Sequence, residues 1–128
     1  MKRKIIQTKD APAAIGPYSQ GTVLGNLVFT AGQIPLDPES GKLVEGDITE
    51  QAGRALGNLK AVLNEAGSGI ERVLRLDVYM TDLRRFSTVN EFFQGVFPEN
   101  PPARVTVEVA GLPMGAEIEI AAIAAISR

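Results

Sequence analysis

The feature that most constrains the fold is the segment AEIEIAAIAAIS, residues 116–127, near the end of the chain. In an extended strand one face would carry Ile118, Ile120, Ala122, Ala124 and Ile126, and the other Glu117, Glu119, Ala121, Ile123 and Ala125. Both faces therefore become apolar. Helices cover only one face of a sheet, so the segment predicts a homo-oligomer in which another copy covers the second face. The alternative is a strand buried on both faces within one chain.

The rest of the chain predicts alternating short strands and helices. Strand patterns occupy residues 3–7, a hairpin in TVLGNLVFTAG that turns at Gly25 and Asn26, ERVLRLDVYM, and ARVTVEV. In ERVLRLDVYM, the alternation sets Leu74, Leu76, Val78 and Met80 against Val73, Arg75, Asp77 and Tyr79.

Two helices are predicted between these strands. The first has Asp47 as its N-cap, with Glu50 three residues later, and Gly67 ends it. The second runs from about Leu83 to Phe97, before Pro98. Its apolar residues are predicted to point inward, and they are Phe86, Val89, Phe92, Phe93, Val96 and Phe97.

The resulting order is strand, hairpin, helix, strand, helix, strand, strand. It predicts an α+β fold, a single mixed β-sheet with two helices on one face. At 128 residues, without an internal linker, the chain is expected to be one domain spanning residues 1–128.

Composition restricts the chemistry that the chain could perform. It has neither cysteine nor histidine, which removes disulfides, thiol nucleophiles, the common zinc ligands and imidazole-dependent triads. The 13 basic and 15 acidic side chains create no broad positive field, so we expect no nucleic-acid partner. No apolar run has the length of a signal peptide or membrane span, which predicts a soluble, cytoplasmic protein without a membrane partner.

Arg104 and Glu119 are the two side chains that the strand patterns do not explain. In ARVTVEV, alternation would place Val105, Val107 and Val109 under the helices and Arg104, Thr106 and Glu108 on the other face. A structural salt bridge is one reading of Arg104 and Glu119. The functional reading makes Arg104 a fork for a substrate carboxylate and Glu119 a base. Residue types and spacing alone favour the salt bridge.

The run from Pro102 to Ile120 resembles the hallmark of the RidA (YjgF-type) family, the reactive intermediate deaminases. The matching residues are Pro-Ala-Arg, the alternating apolar positions, Ala110, Leu112 and Ile118-Glu119-Ile120. The resemblance continues in APAAIGPYSQG, FTAGQIP, NLKAVLNEAG, VYMTDLRRFSTVNEFF and NPPAR, which together cover almost the whole chain in the expected order.

This resemblance implies a chorismate-mutase-like fold that assembles as a homotrimer with clefts between subunits. It also implies a cofactor-free and metal-free hydrolysis of 2-aminoacrylate (with its imine, 2-iminopropanoate) and 2-iminobutanoate to 2-oxo acids and ammonia. Arg104 matches the family's carboxylate-binding arginine, and Glu119 matches the glutamate that positions or activates water. Tyr18, Gly32 and Asn90 match further positions that line the cleft and bind substrate, with Gly32 acting through its backbone.

Three departures from the commonest family pattern leave the side-chain preference open. Ala31 stands where many members have serine, Thr106 where some have cysteine, and Ala121 where many have a second glutamate. Two other functions remain as alternatives. One is a non-catalytic module that binds a small carboxylate such as a 2-oxo acid and regulates another protein. The other, an endoribonuclease or translation inhibitor, is disfavoured by the 5% aromatic content and the absence of histidine.

Overall fold

The computed structural model describes residues 2–126. Its strands are β1 (Lys4–Ile6), β2 (Gly21–Leu24), β3 (Leu27–Thr30), β4 (Val73–Met80), β5 (Ala103–Glu108) and β6 (Ile118–Ala125), and its helices are α1 (Ile48–Glu65) and α2 (Phe86–Val96). Short 3-10 turns precede β4, α2 and β6. The predicted order of strands and helices is confirmed.

All six strands form one sheet in the order β1-β2-β3-β6-β4-β5. Neighbouring strands are antiparallel except for β4 and β5, which run parallel because α2 connects them as a crossover. The sheet is therefore mixed, as predicted. The strand β6, apolar on both faces, pairs with β3 and β4 in the middle of the sheet.

Both helices pack on one face of this sheet, where the main core lies. The helix α1 begins at the predicted cap, with Oδ1 of Asp47 accepting a hydrogen bond from the backbone N–H of Glu50 at 2.9 Å. It ends before Gly67, whose φ of 84° is left-handed. The core joins alternate residues of the sheet to the inner sides of α1 and α2, including Leu59, Leu63, Leu76, Val78, Met80, Val89, Phe93, Ile118 and Ile120.

Two predictions about strand faces are wrong. In β4, an irregularity between Val73 and Arg75 breaks the alternation, so Val73 is buried and Leu74 is exposed. In β5 the faces are inverted, because Arg104 is paired with the buried core residue Leu76. The valines predicted to lie under the helices, Val105 and Val107, are instead 45% and 38% exposed.

The second face of the sheet is largely apolar and has no helix on it. It carries Phe29, Ala121, Ile123, Val105 and Val107, with Glu119 and Tyr79 opposite each other toward one end. This is the exposed surface that the last strand predicted. The homo-oligomer that would cover it stays a prediction. No helix within residues 2–126 is long and apolar enough to cross a membrane.

Candidate functional site

Arg104 lies on the edge strand β5 and packs against α2. Its Nη2 donates a hydrogen bond to Oδ1 of Asn90. Its guanidinium carbon lies 5.8 Å from the ring centroid of Phe86 and 5.4 Å from that of Phe93. Phe86, Asn90 and Phe93 are separated by four and three positions along α2, so they share one side of the helix. The stripe of Phe86, Asn90 and Phe93 thus holds the guanidinium by one hydrogen bond and two cation-π contacts.

An open hollow of about 410 Å³ lies beside this arginine. Its lining includes Arg104 and Asn90, together with Gln94 and the two prolines that lead into β5, Pro101 and Pro102. Only Nη2 of Arg104 has a hydrogen-bond acceptor among the described residues. The guanidinium therefore keeps donors for a planar anion such as a carboxylate, which it can hold with two hydrogen bonds.

Glu119 lies in a second, smaller hollow of about 80 Å³ on the other side of the sheet. Tyr18 and Gly32 line the same hollow, so three of the five residues that the sequence singled out are brought together here. Most of the remaining lining is apolar and comprises Pro12, Ala13, Ile15, Ile34, Leu36 and Pro113, with the amides of Gln20 and Gln33. The hollow can accommodate a small group whose reactive atom lies near the carboxylate.

Gly32 lies where the chain continues past the paired residues of β3. Phe29 pairs with Ile123, and Gln33 next exchanges two backbone hydrogen bonds with Ile120, of 2.8 and 3.0 Å. Three residues on one strand thus face two on the other, which is a bulge. The bulge brings Gly32 against Glu119, where a Cβ atom would lie 2.5 Å from Oε2. A larger residue at position 32 would displace the carboxylate from this position.

Burial raises the pKa of the Glu119 carboxyl. The apolar lining of the hollow removes water from the carboxylate, and loss of solvation disfavours the charged form. Within one chain Arg104 makes no contribution to the shift. A carboxyl group of raised pKa, with its oxygens free of salt bridges among the described residues, is suited to accept a proton.

The five predicted site residues form two groups on opposite faces of the sheet. Arg104 is level with Leu76 on the helix-covered face, whereas Glu119 is opposite Tyr79 on the open face. The strand β4 also lies between β5 and β6. The structural salt bridge between Arg104 and Glu119 that residue types and spacing favoured is therefore wrong within one chain. Asn90 joins Arg104, and Tyr18 and Gly32 join Glu119.

Sequence reasoning missed the aromatic cradle of Arg104. Phe86 was predicted to point inward, but it is 42% exposed and lies beside the guanidinium instead. The spacing of Phe86, Asn90 and Phe93 was available in the sequence. It could not be connected to Arg104 while that residue was assigned to the opposite face. Within residues 2–126, no cluster of His, Cys, Asp or Glu side chains could hold a metal ion.

Comparison with known proteins gives consistent matches along the chain. The family model described as Endoribonuclease L-PSP matches residues 8–126. A RutC family protein of Pyrococcus abyssi is 49% identical over 124 residues, which cover 97% of this chain and 98% of the relative. A protein of Rattus norvegicus named 2-iminobutanoate/2-iminopropanoate deaminase is 46% identical over 122 residues, covering 95% of this chain and 89% of the relative.

Solved structures include close matches to the fold. The crystal structure of E. coli TdcF with bound serine superposes with a TM-score of 0.91 at 43% sequence identity. The match covers 97% of this chain and 99% of that chain. The similarity therefore extends over the whole sheet and both helices, including the strands that carry Arg104 and Glu119.

Proposed function

The chain belongs to the YjgF/RidA family, whose model is described as Endoribonuclease L-PSP, and on this premise we propose that it hydrolyses small 2-imino acids to 2-oxo acids and ammonia. The substrates would be 2-iminopropanoate, formed from 2-aminoacrylate, and 2-iminobutanoate. Relatives at 43–46% identity carry the name of this activity. The observation that carries the proposal is a carboxyl group of raised pKa in a small apolar hollow, in a chain that also presents an arginine with free donors.

The two halves of the site require a second subunit in this proposal. Arg104 and Glu119 lie on opposite faces of one sheet and cannot hold the same small molecule within one chain. The open sheet face that surrounds Glu119 is apolar, as an interface core is. We infer a homotrimer in which the Arg104 half of one subunit faces the Glu119 half of the next across a cleft.

The proposed reaction needs only groups that the chain supplies. The guanidinium of Arg104 binds the substrate carboxylate, and the imine carbon next to that carboxylate is electrophilic because the imine nitrogen is protonated. Glu119 removes a proton from a water molecule, whose oxygen forms the new bond to this carbon. The tetrahedral carbinolamine then loses its nitrogen as ammonia, and its hydroxyl becomes the carbonyl of the 2-oxo acid by releasing its proton to solvent, which balances the proton that the imine nitrogen carried at the start. A proton returns from Glu119 to the departing nitrogen, so the carboxylate is regenerated.

Two other functions make different demands on the same residues. A regulator that only binds a small carboxylate would use Arg104 equally well, and it would keep its affinity without Glu119. The endoribonuclease in the family description would need an acid and a base near a phosphate, but the chain has no histidine and more acidic than basic residues.

The test generates 2-iminobutanoate from threonine with a dehydratase and traps the remaining imine with semicarbazide. Wild-type protein should accelerate loss of the imine, and Glu119→Gln should reduce this rate by about 10²- to 10⁴-fold, the usual contribution of a general base. Glu117→Gln is the matched control, because Glu117 lies two residues earlier and its carboxylate binds the side chain of Gln51 instead. If wild type and both variants leave the imine lifetime unchanged, the deaminase proposal fails.

A further inference from the structure

Gln20 is a buried side chain that the proposed chemistry does not use. It is 4% exposed, and its carboxamide is engaged at both ends. Oε1 accepts a hydrogen bond from the N–H of Thr8 at 2.7 Å. Nε2 lies within hydrogen-bond distance of three carbonyl oxygens, those of Thr8 at 3.1 Å, Ala11 at 3.3 Å and Pro12 at 2.8 Å. All of these contacts go to one segment of the chain.

That segment has little other means of holding its shape. Residues 7–20 form neither helix nor strand, so they have no ladder of backbone hydrogen bonds. Among the described residues, the other hydrogen bonds of positions 8–18 stay within the segment, such as that from the N–H of Ile15 to the Tyr18 hydroxyl at 3.3 Å. Ala11 adds an apolar contact with Ile6 and Val62. Gln20 directly precedes β2, so among the described residues its amide supplies the polar connection between positions 8–18 and the start of that strand.

The same segment forms one wall of the hollow around Glu119. We call this wall the Pro12 wall, and it comprises Pro12, Ala13, Ile15 and Tyr18. The Pro12 carbonyl, which receives the shortest of the three Nε2 contacts at 2.8 Å, belongs to the first of these residues.

Gln20 also reaches the wall formed by Gly32 through its backbone. Its carbonyl oxygen accepts a hydrogen bond from the N–H of Ala31 at 2.8 Å, next to Gly32, which touches the Glu119 carboxylate. One residue thus connects both walls of the hollow.

We propose that Gln20 is a positioning residue that sets the width of the Glu119 hollow and thereby how tightly the substrate's side chain is held. This inference rests on the proposed function, because it places the aliphatic side chain of a 2-imino acid between the Pro12 wall and Gly32. Gln20 touches neither the reacting carbon nor the water, so it should govern binding and side-chain preference, with little effect on the chemical step.

Two substitutions separate the contacts of the amide. Gln20→Met keeps the length of the side chain and removes all of its hydrogen bonds. Gln20→Glu keeps an acceptor for the Thr8 N–H but loses donors to the three carbonyls, because an ionised carboxylate donates nothing and a protonated one has a single O–H where the amide has two N–H groups. Gln7→Glu is the control, because Gln7 is an exposed residue at the start of the same segment and undergoes the same chemical change.

The experiment measures kcat and KM for 2-iminobutanoate and 2-iminopropanoate, with amide hydrogen exchange of the same proteins. Both Gln20 variants should raise KM by about tenfold, since small displacements of a binding wall have effects of this order or larger, while kcat changes little. The ratio of kcat/KM for 2-iminobutanoate, which has an ethyl side chain, to that for 2-iminopropanoate, which has a methyl side chain, should move closer to one. Thr8 exchange should accelerate in Gln20→Met but stay slow in Gln20→Glu, and Gln7→Glu should match wild type.

The opposite results would overturn the positioning role. If Gln20→Met stays folded with unchanged KM and unchanged side-chain preference, Gln20 only supports the fold. If wild type neither hydrolyses the imine nor binds 2-oxobutanoate, the proposed function fails, and the Gln20 inference is then judged by exchange of the Ile15 amide. That amide donates to the Tyr18 hydroxyl within the wall, and an unchanged exchange rate in Gln20→Met would contradict the inference.

Discussion

At the scale of single residues, the site depends on how closely Glu119 is enclosed. The Gly32 backbone, the Tyr18 side chain and the Pro12 wall leave the carboxylate partly desolvated, which raises its pKa. Sequence comparison could identify Glu119, but it could not give the sign of the pKa shift. That sign depends on burial and on which charged groups come near, and these are properties of the folded chain.

Gly32→Ala should displace the Glu119 carboxylate and not the backbone, because the added Cβ would meet the flexible end of that side chain. A misplaced base should lower kcat for imine hydrolysis by about 10- to 100-fold with the fold intact. Steady-state kinetics and the circular dichroism spectrum check both parts. Gly95→Ala is the control, because nothing lies within 4 Å of a Cβ at that position. A Gly32→Ala protein with normal kcat would show that the close approach has no catalytic consequence.

The raised pKa of Glu119 also predicts a dependence of stability on pH. A carboxyl group whose pKa is higher in the folded state than in the unfolded state keeps its proton up to a higher pH when the protein is folded. Stability is then lost as pH rises from the ordinary pKa through the raised one, and the loss is complete above it. In an Arg104→Ala background, Glu119→Gln should therefore raise Tm at pH 8 and leave it nearly unchanged at pH 4.

With Arg104 present the gain from Glu119→Gln should be smaller, because a guanidinium across the cleft would favour the charged carboxylate. Thermal unfolding of wild type, Arg104→Ala, Glu119→Gln and the double variant, at pH 4 and pH 8, measures this coupling. Equal gains with and without Arg104 would mean that the two side chains do not share a cleft.

At the scale of elements, the well-patterned parts of the fold could be predicted and the edge of the sheet could not. The first helix, from its Asp47 cap to Gly67, and the hairpin at Gly25 are found as predicted because local signals determine them. In β5, valines and polar residues alternate strictly, and this pattern allows either face of the strand to point toward the helices. Its orientation is determined by the pairing of Arg104 with Leu76 and by the contacts of Arg104 with α2.

The contribution of α2 to the site can be measured through Phe86. Phe86→Leu preserves an apolar side chain but removes the ring, and an exposed cation-π contact contributes about 0.5–1 kcal/mol. We therefore expect a KM for 2-iminobutanoate that is about two- to fivefold higher, with kcat unchanged. Leu83→Ala, another exposed apolar residue, which lies in the turn before α2, serves as the control. A KM unaffected by Phe86→Leu would mean that the hydrogen bond to Asn90 and the contact with Phe93 orient Arg104 without Phe86.

At the scale of the whole molecule, the apolar run of β6 and the opposite facing of Arg104 and Glu119 lead to the same expectation. A sheet with an uncovered apolar face is expected to associate, and a site divided between two faces needs association to be complete. The sequence indicated the first of these reasons through the alternation of β6. The second became visible only with the strand order, because β4 lies between the two strands that carry Arg104 and Glu119.

The most direct test of a site shared between subunits is complementation between two inactive proteins. Arg104→Ala and Glu119→Gln are each assayed, then unfolded together in equal amounts, refolded and assayed for loss of 2-iminobutanoate. In a cyclic trimer, a site is intact when an Arg104-bearing subunit faces a Glu119-bearing one, so random mixing should restore about one quarter of wild-type activity. Wild type mixed with the double variant should also give about one quarter, whereas sites within single chains would give about one half. No recovery from the mixed single variants, under conditions in which refolded wild type is fully active, would contradict the account.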